Sequence, residues 1–363
     1  MPDLVDFILE KGVVDAHAEV RSTMLQAGTS LIEGYGKQLY MPLVQCLESV
    51  LQREAHTDED LDDFDRRRSA GVVLLGASGR HLDKSDPTVI AIIQSLIESL
   101  STPSESVQRA VANCLIPLVA LIKGSDTSVV LLEKLIEATL GASTYGQRRG
   151  SAFGLSAFVK ALGIPILKQL DVVPRLKEAC TTGSVNARQG SLFAIECLCD
   201  RLGLLFEPYI ITIIPILLKS FSHSSDHVRE AAQGAAKVIM AKLSAHGVKQ
   251  VLTPIISSLP TETAWKTRQE SLRLLGMMAH CAPRQLSACL PQIVPCLVAA
   301  GKGGLLVSPS EYVYTYNFTI YLQFYNILTT LQYTHNFTIY LQFYIFPVST
   351  TFFPPLKFST VYA

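Results

Sequence analysis

The sequence predicts an all-α fold, a right-handed superhelical solenoid built from stacked helix pairs. Three observations lead there. Arginine recurs at Arg68, Arg109, Arg149, Arg188, Arg229 and Arg268, in steps of 41, 40, 39, 41 and 39 residues. Proline keeps the same interval at Pro174, Pro215, Pro254 and Pro295, in steps of 41, 39 and 41. Over this region no strand signal accompanies the period. Two unrelated residue types at a constant mutual offset require one repeated structural unit. A period of about 40 residues without strands is that of HEAT or armadillo-like repeats.

The units follow in order. DAHAEVRSTMLQAGTSLIEGYG carries Arg21, and the step from Arg21 to Arg68 stretches to 47 residues. The surplus contains HTDEDLDDFD, His56 to Asp65, which reads as a solvated acidic loop between helices. VVLLGASGRH, Val72 to His81, lacks a full GxGxxG and sits where the register demands a second helix, so it reads as a helix ending in glycine. LIESLSTPSESVQRAVANCLIPLVALI surrounds Arg109, LIEATLGASTYGQRRGSAFGLSAFVKALG surrounds Arg149, and LKEACTTGSVNARQGSLFAIECLCDRLG surrounds Arg188. The unit from Pro215 to His246 shows the grammar best. Pro215 is expected to open the first helix, SHSSD to turn the chain, and Asp226 to cap the second helix. Val228, Ala231, Ala232, Ala235, Val238, Ile239 and Leu243 then form one buried stripe at i, i+3, i+4 and i+7 spacing. ISSLPTETAWKTRQESLRLLGMMAHC surrounds Arg268, with Trp265 expected in the core. Seven units reach residue 280 or so, and the first helix of an eighth falls around Pro295, which makes residues 1–300 one array.

Residues 301–363 break every one of these patterns. No Asp, Glu, Lys or Arg occurs from Tyr312 to Leu356, and NFTIYLQFY stands at 317–325 and again at 336–344. Its Tyr, Phe, Thr and Ile favour strand. The stretch reads foremost as translated non-coding sequence; a membrane-lying segment and a strand-forming appendage are the alternatives. Its Thr, Tyr, Asn and Gln suit a helical membrane span poorly. Asn317 and Asn336 head formal glycosylation sequons that should stay unmodified without a secretory signal, and MPDLVDFILEKG offers none.

Formal charge is zero overall, but it is divided. Residues 1–142 hold 12 basic and 21 acidic side chains, a net of −9; residues 143–302 hold 18 and 9, a net of +9. A basic half points to an anionic partner. The eight cysteines lack CxxC spacing and fall at apolar helix positions, as reduced thiols of a cytoplasmic protein do. No HExxH, nucleophile elbow or phosphate loop occurs, and Gly301-Lys302-Gly303-Gly304 has no Ser or Thr after its lysine. No metal, no cofactor and no enzymatic activity are expected.

Several strings are more specific than the repeat. QRRGSAFGLSAFVKALGI, LFEPYI with IIPILLKSF, HVREAAQGAAKVIMAKLSAHGVKQVL and LRLLGMMAHCAPRQLSACLPQIVPCL resemble the central HEAT region of the general-control-nonderepressible translational activator family. That region is itself similar to the N-terminal HEAT array of elongation factor three. GVVLLGASGRHLDKSDPTV and SLSTPSESVQRAVANCLIPLV resemble its preceding repeats, so the likeness spans about residues 1–298. The resemblance implies a cytosolic scaffold that contacts ribosomes, engages a partner ATP-binding-cassette protein, and serves activation of the kinase acting on the alpha subunit of initiation factor two. It also implies that the kinase-binding part lies beyond the matched segment, and nothing here resembles it. The alternative is an adaptor or transport-receptor array that binds protein cargo without ribosome contact.

Within the basic half, Arg148 beside Arg149 is the candidate contact for ribosomal RNA or a partner, since one of two adjacent arginines is surplus to a repeat ladder. Lys160, Lys168 and Lys177 extend that patch. Arg21, Arg68, Arg109, Arg188, Arg229 and Arg268 are assigned to the ladder, pairing with acids or carbonyls of adjacent units. The strand-prone tail yields a first test. The full chain should aggregate faster on warming than one ending at residue 300, followed by light scattering. Equal rates, with the tail protected from protease, would overturn the reading of residues 301–363 as foreign to the array.

Overall fold

A computed structural model describes residues 2–35, 40–53, 60–80, 86–260 and 263–281, together with single positions and short runs up to 296. The expected eighth unit and residues 301–363 lie outside this set, as do residues 54–59 of the acidic stretch. Among the described residues every regular element is helical.

A short α1 (Pro2–Phe7) runs into a π turn (Ile8–Gly12) and packs with α2 (Ala18–Tyr35). Pairs then follow: α3 (Tyr40–Gln52) with α4 (Leu61–Gly79), α5 (Pro87–Ser99) with α6 (Glu105–Leu121), and α7 (Asp126–Gly141) with α8 (Tyr145–Leu162). After the single turn α9 (Pro165–Gln169) come α10 (Val172–Thr182) with α11 (Val185–Leu202). The last are α12 (Glu207–Ser220) with α13 (Asp226–Lys242), and α14 (Ala245–Ser257) with α15 (Trp265–Cys281). Side chains satisfy the first amides of many helices, as the Ser, Thr and Asp at their starts suggest. Asp86 accepts from Thr88 N with Pro87 in the first turn, Thr144 from Gln147 N, Ser184 from Ala187 N, and Ser244 from Gly247 N.

Three local expectations need correction. Pro215 does not open its helix: α12 begins at Glu207 and carries Pro215 inside. Ile210, Ile213, Ile214 and Leu217 are buried on one face, and burying that stripe outweighs the roughly 3 kcal/mol an interior proline costs. Pro215 itself faces solvent, where the freed carbonyl can meet water. Asp226 is not the cap but the first helical residue after Ser225, where its charge suits the helix dipole and pairs with Arg229. The acidic stretch is partly helix as well: Asp60 caps α4 through Asp62 N, with Asp62 and Asp63 in its first turn. VVLLGASG, by contrast, is the C-terminal half of α4, as expected.

The second helices α2, α4, α6, α8, α11, α13 and α15 pack on one another in an unbroken row. Direct packing among first helices is extensive only along α10, α12 and α14. Arg201 of α11 also reaches Asn113 of α6, two units away, at 3.0 Å. A layer whose alternate members touch is the inner, concave one, so the second helices line the inside of the array. Glycine permits that crowding: a Cβ on Gly76 of α4 would stand 2.6 Å from the Cβ of Cys114 on α6. Glycine also seats inner helices on the preceding unit's first helix, since a Cβ on Gly150 would stand 1.9 Å from the Leu100 carbonyl oxygen at the end of α5, and one on Gly190 would stand 1.8 Å from that of Thr139 in α7. Val185–Ser220 is long and apolar enough to cross a membrane by length and composition. It is, however, two helices jointed at Gly203 (φ 57°), with Leu198, Ile214 and Leu217 fully buried in the array.

Four cysteines, Cys114, Cys180, Cys197 and Cys199, are buried. Burial pushes the thiols of Cys197 and Cys199 up to about 12 and that of Cys114 to about 11, so they stay protonated and inert. Gly150→Ala and Gly190→Ala should each destabilise the array by about 1–3 kcal/mol through overpacking against a backbone carbonyl, read as a lowered melting temperature. Gly34→Ala, with nothing within 4 Å of the added methyl, should not. Unchanged melting of both inner-layer variants would refute the close approach.

Candidate functional site

A pair of adjacent polar residues opens each inner helix: Gln108-Arg109, Arg148-Arg149, Arg188-Gln189 and Arg229-Glu230. The first member of each pair turns back onto carbonyls of the turn that joins its helix to the preceding one, and Arg188 reaches into the last turn of α10 as well. Arg148 Nη1 donates to Ala142 O at 2.9 Å and Ser143 O at 2.7 Å. Arg229 Nη1 donates to His223 O at 2.6 Å and Ser224 O at 2.8 Å. Arg188 serves Gly183 O at 2.9 Å, Cys180 O at 2.6 Å, and Thr181 O. Arg21 does the same to Asp15 O and Ala16 O at 2.6 and 2.9 Å. Gln108 occupies this position in its own unit, donating to Thr102 O at 2.6 Å and across the unit boundary to Gly146 O at 3.0 Å. A donor is needed there because the carbonyls of a tight turn between two helices have no partner in either helix.

In the first three pairs the second member faces the neighbouring inner helix instead, whereas Glu230 is exposed. Arg149 makes a bidentate pair with Glu196 of α11, both contacts at 2.8 Å, and lies 3.7 Å from Glu105 of α6. Its guanidinium sits 5.1 Å from the Phe153 ring centroid and 4.8 Å from that of Phe193. Burial alone would lower its pKa, but the Glu196 hydrogen bonds and the nearby negative charge hold it above the ordinary arginine value. Arg109 pairs with Glu105 at 2.7 Å and also covers Phe153 at 5.1 Å. Arg68 stands over Phe64 at 6.0 Å, and burial lowers its pKa.

The arginine series of the sequence therefore joins two registers. Arg21, Arg188 and Arg229 cap carbonyls, together with Arg148, whereas Arg68, Arg109 and Arg149 stand one position later and stack on rings. This corrects the view that Arg148 or Arg149 is surplus. Both are 6% exposed, and both are engaged inside the array, Arg148 also reaching Gln189 Oε1 at 2.7 Å. Arg268 is half-buried, and its Nε has no hydrogen-bond partner among the described residues. The arginine repeat was visible in the sequence, but choosing between neighbours required the helix phase. Trp265 is 50% exposed at the start of α15 with Lys266 Nζ 5.6 Å from its ring, so the expectation that it packs in the core fails. Of the candidate lysines, Lys160 in the last turn of α8 and Lys168 in the last turn of α9 are exposed, and Lys177 in α10 is half-buried. Exposed Lys123 lies at the same corner, its Nζ 3.9 Å from where a Gly163 Cβ would be. No group of three or more metal-ligating side chains occurs among the described residues.

Known proteins resemble this chain. The family model described as EF3 N-terminal HEAT repeat matches residues 148–300, and that described as stalled ribosome sensor GCN1, HEAT repeats, matches residues 1–80. The stalled ribosome sensor GCN1 of Homo sapiens is 43% identical over 293 residues, 80% of this chain and 11% of that protein. The chain's HEAT array is homologous to that of GCN1. The eIF-2-alpha kinase activator GCN1 of Dictyostelium discoideum is 41% identical over 291 residues, 79% of the chain and 11% of that protein. The chain thus spans about a tenth of the length of these curated relatives. Among solved structures, Kap121p bound to Pho4p superposes with a TM-score of 0.52 at 11% identity, covering 94% of this chain and 36% of that one. At that identity the likeness shows the HEAT solenoid fold.

The Arg149–Glu196 pair crosses between units, so breaking it should loosen the stack. Glu196→Gln leaves a buried cation without its counter-ion and should cost about 3–5 kcal/mol, measured by urea unfolding. Arg149→Lys should fail to restore stability, because an ammonium cannot reproduce the bidentate fork or the ring stacking. A loss below about 1 kcal/mol in Glu196→Gln would show the pair to be dispensable.

Proposed function

We propose that the chain acts as a non-catalytic, cytoplasmic translation-control scaffold, or a segment of one. In this reading it binds ribosomes and a partner ATP-binding-cassette protein in the pathway that activates the kinase of initiation factor two alpha under amino-acid starvation. One observation carries the reading. The match to the elongation factor 3 HEAT repeat, residues 148–300, coincides with the half of the chain holding 18 basic against 9 acidic side chains. The names of the GCN1 relatives, a stalled ribosome sensor and an eIF-2-alpha kinase activator, supply the pathway.

The ribosomal contact then falls to the exposed lysines. Lys160 and Lys168, with Lys177 beside them, project cations that phosphate oxygens of ribosomal RNA can reach, and Lys123 extends the corner. Arg148 and Arg149 contribute by fixing α8 against its neighbours, the geometry that presents those lysines. Their own charge is spent on carbonyls and on Glu196.

Co-sedimentation with ribosomes across a salt series checks this. Binding should fall steeply with salt, because each neutralised phosphate adds about 0.7–0.9 to the log–log slope. Reversing Lys160, Lys168 and Lys177 to Glu should reduce the bound fraction and flatten the slope, with the melting temperature unchanged. Absence of co-sedimentation, or binding indifferent to both salt and the triple reversal, would leave the cargo-adaptor reading in its place.

A further inference from the structure

Arg201 of α11 and Asn113 of α6 come from inner helices two units apart and meet across α8, with Arg109 on the same helix as Asn113. Arg201 Nη1 donates to the Asn113 side-chain oxygen at 3.0 Å, and Arg109 lies one turn before Asn113 on α6. Arg109 and Asn113 are exposed and Arg201 is half-buried, so the three polar ends open onto the concave face. Burial lowers the Arg201 pKa, Cys197 and Asp200 oppose that, and the Arg109 charge lowers it further. Two guanidinium groups are therefore held within each other's field.

Their charges are unevenly compensated. Arg109 directs Nε and Nη2 at one oxygen of Glu105, at 3.1 and 2.7 Å. Glu196 is committed to Arg149 at 2.8 Å, and Asp200 to Lys242 at 3.1 Å. Among the described residues Arg201 has no carboxylate within the 4.0 Å of an ion pair. Among the described residues its one hydrogen bond goes to a neutral amide oxygen, and a guanidinium offers five donors.

We propose that Arg109, Arg201 and Asn113 form a binding site on the inner face for the carboxylate of an acidic segment of a partner protein lying along the array. The planar guanidinium fork matches a carboxylate, and Asn113 can turn its amide donors to the same anion. A nucleic-acid strand fits less well, because the Glu105 and Asp200 side chains, 45% and 50% exposed, flank the site and repel a continuous polyanion. Single Asp or Glu residues spaced by neutral ones avoid that repulsion. Solenoids use their concave surface for extended partners of this kind. The site goes beyond the ribosomal reading and uses none of its lysines, so either can fail alone.

The test uses the full chain and a fluorescein-labelled peptide of alternating Glu and Ala, titrated by fluorescence anisotropy beside an oligouridine of equal charge. The peptide should bind saturably. Arg109→Gln and Arg201→Gln should each weaken it by about tenfold or more, whereas Lys134→Gln on the outer helix α7 and the oligouridine titration should show no change. Arg201→Lys, which keeps the charge without the fork, should fall between wild type and Arg201→Gln. Absence of peptide binding overturns the proposal, as does an affinity unchanged in both glutamine variants. A larger loss for oligouridine than for peptide also overturns it and reassigns the face to RNA. Should Arg201→Gln lower the melting temperature, the exposed Arg109→Gln decides alone.

Discussion

Each first helix hands over to its inner helix through a short turn, and the carbonyls of that turn and of the helix end must find donors. That requirement shapes the rest of the molecule. A charged donor reaching back five to eight residues satisfies two or three of these oxygens at once, as Arg148, Arg188 and Arg229 do. Hydrogen bonds from a charged group contribute about 1.5–3 kcal/mol each, and an unmet buried carbonyl costs about as much. Gln108 shows that the requirement is for donors rather than for charge. Its amide reaches Thr102 O and the next unit's Gly146 O from a residue that is almost fully buried.

Once the turns are sealed, the inner helices can approach closely. Gly76 and Gly79 of α4 bring it against Cys114 and Leu118 of α6, while Gly150 of α8 and Gly190 of α11 seat those helices on carbonyls of the preceding unit's first helix, at Leu100 and Thr139. The tight inner row and the looser outer row bend the stack, and the bend brings Arg201 to Asn113 across an intervening unit. Curvature is thus a consequence of side-chain volume, read unit by unit. The same bend gathers Arg109, Arg149, Phe153, Phe193 and Glu196 into one charged and aromatic strip.

Charge in this molecule therefore divides by location. Guanidinium groups near the starts of the inner helices, the exposed Arg109 excepted, are consumed in holding the fold, through carbonyls, rings and Glu196. Ammonium groups sit at the corners: Lys160 and Lys168 end α8 and α9, where the negative end of the helix dipole favours a cation and where nothing covers it. An electropositive half counted from composition contains both kinds. Only the second is available to a polyanion, and Arg201 is intermediate, held by one amide on the open inner face.

The sequence by itself determined the repeat, the helical class, the order of the helix pairs from Arg21 onward and the arginine near the start of each inner helix. These follow from local rules of spacing, capping and apolar stripes that one unit expresses without its neighbours. It could not say which member of Arg148-Arg149 or Arg188-Gln189 faces the turn. A shift of one residue rotates a helical side chain by about 100°, and composition is blind to that phase. Pro215 misled for a similar reason: a proline signals a helix start locally, but burial of Ile210, Ile213 and Ile214 extended α12 through it. Trp265 looked like core by its size, yet its place at the first position of α15 leaves it half in solvent. The meeting of Arg201 with Asn113, beside Arg109, belongs wholly to tertiary structure. Residues separated by two units come together only through the summed curvature of every contact between them.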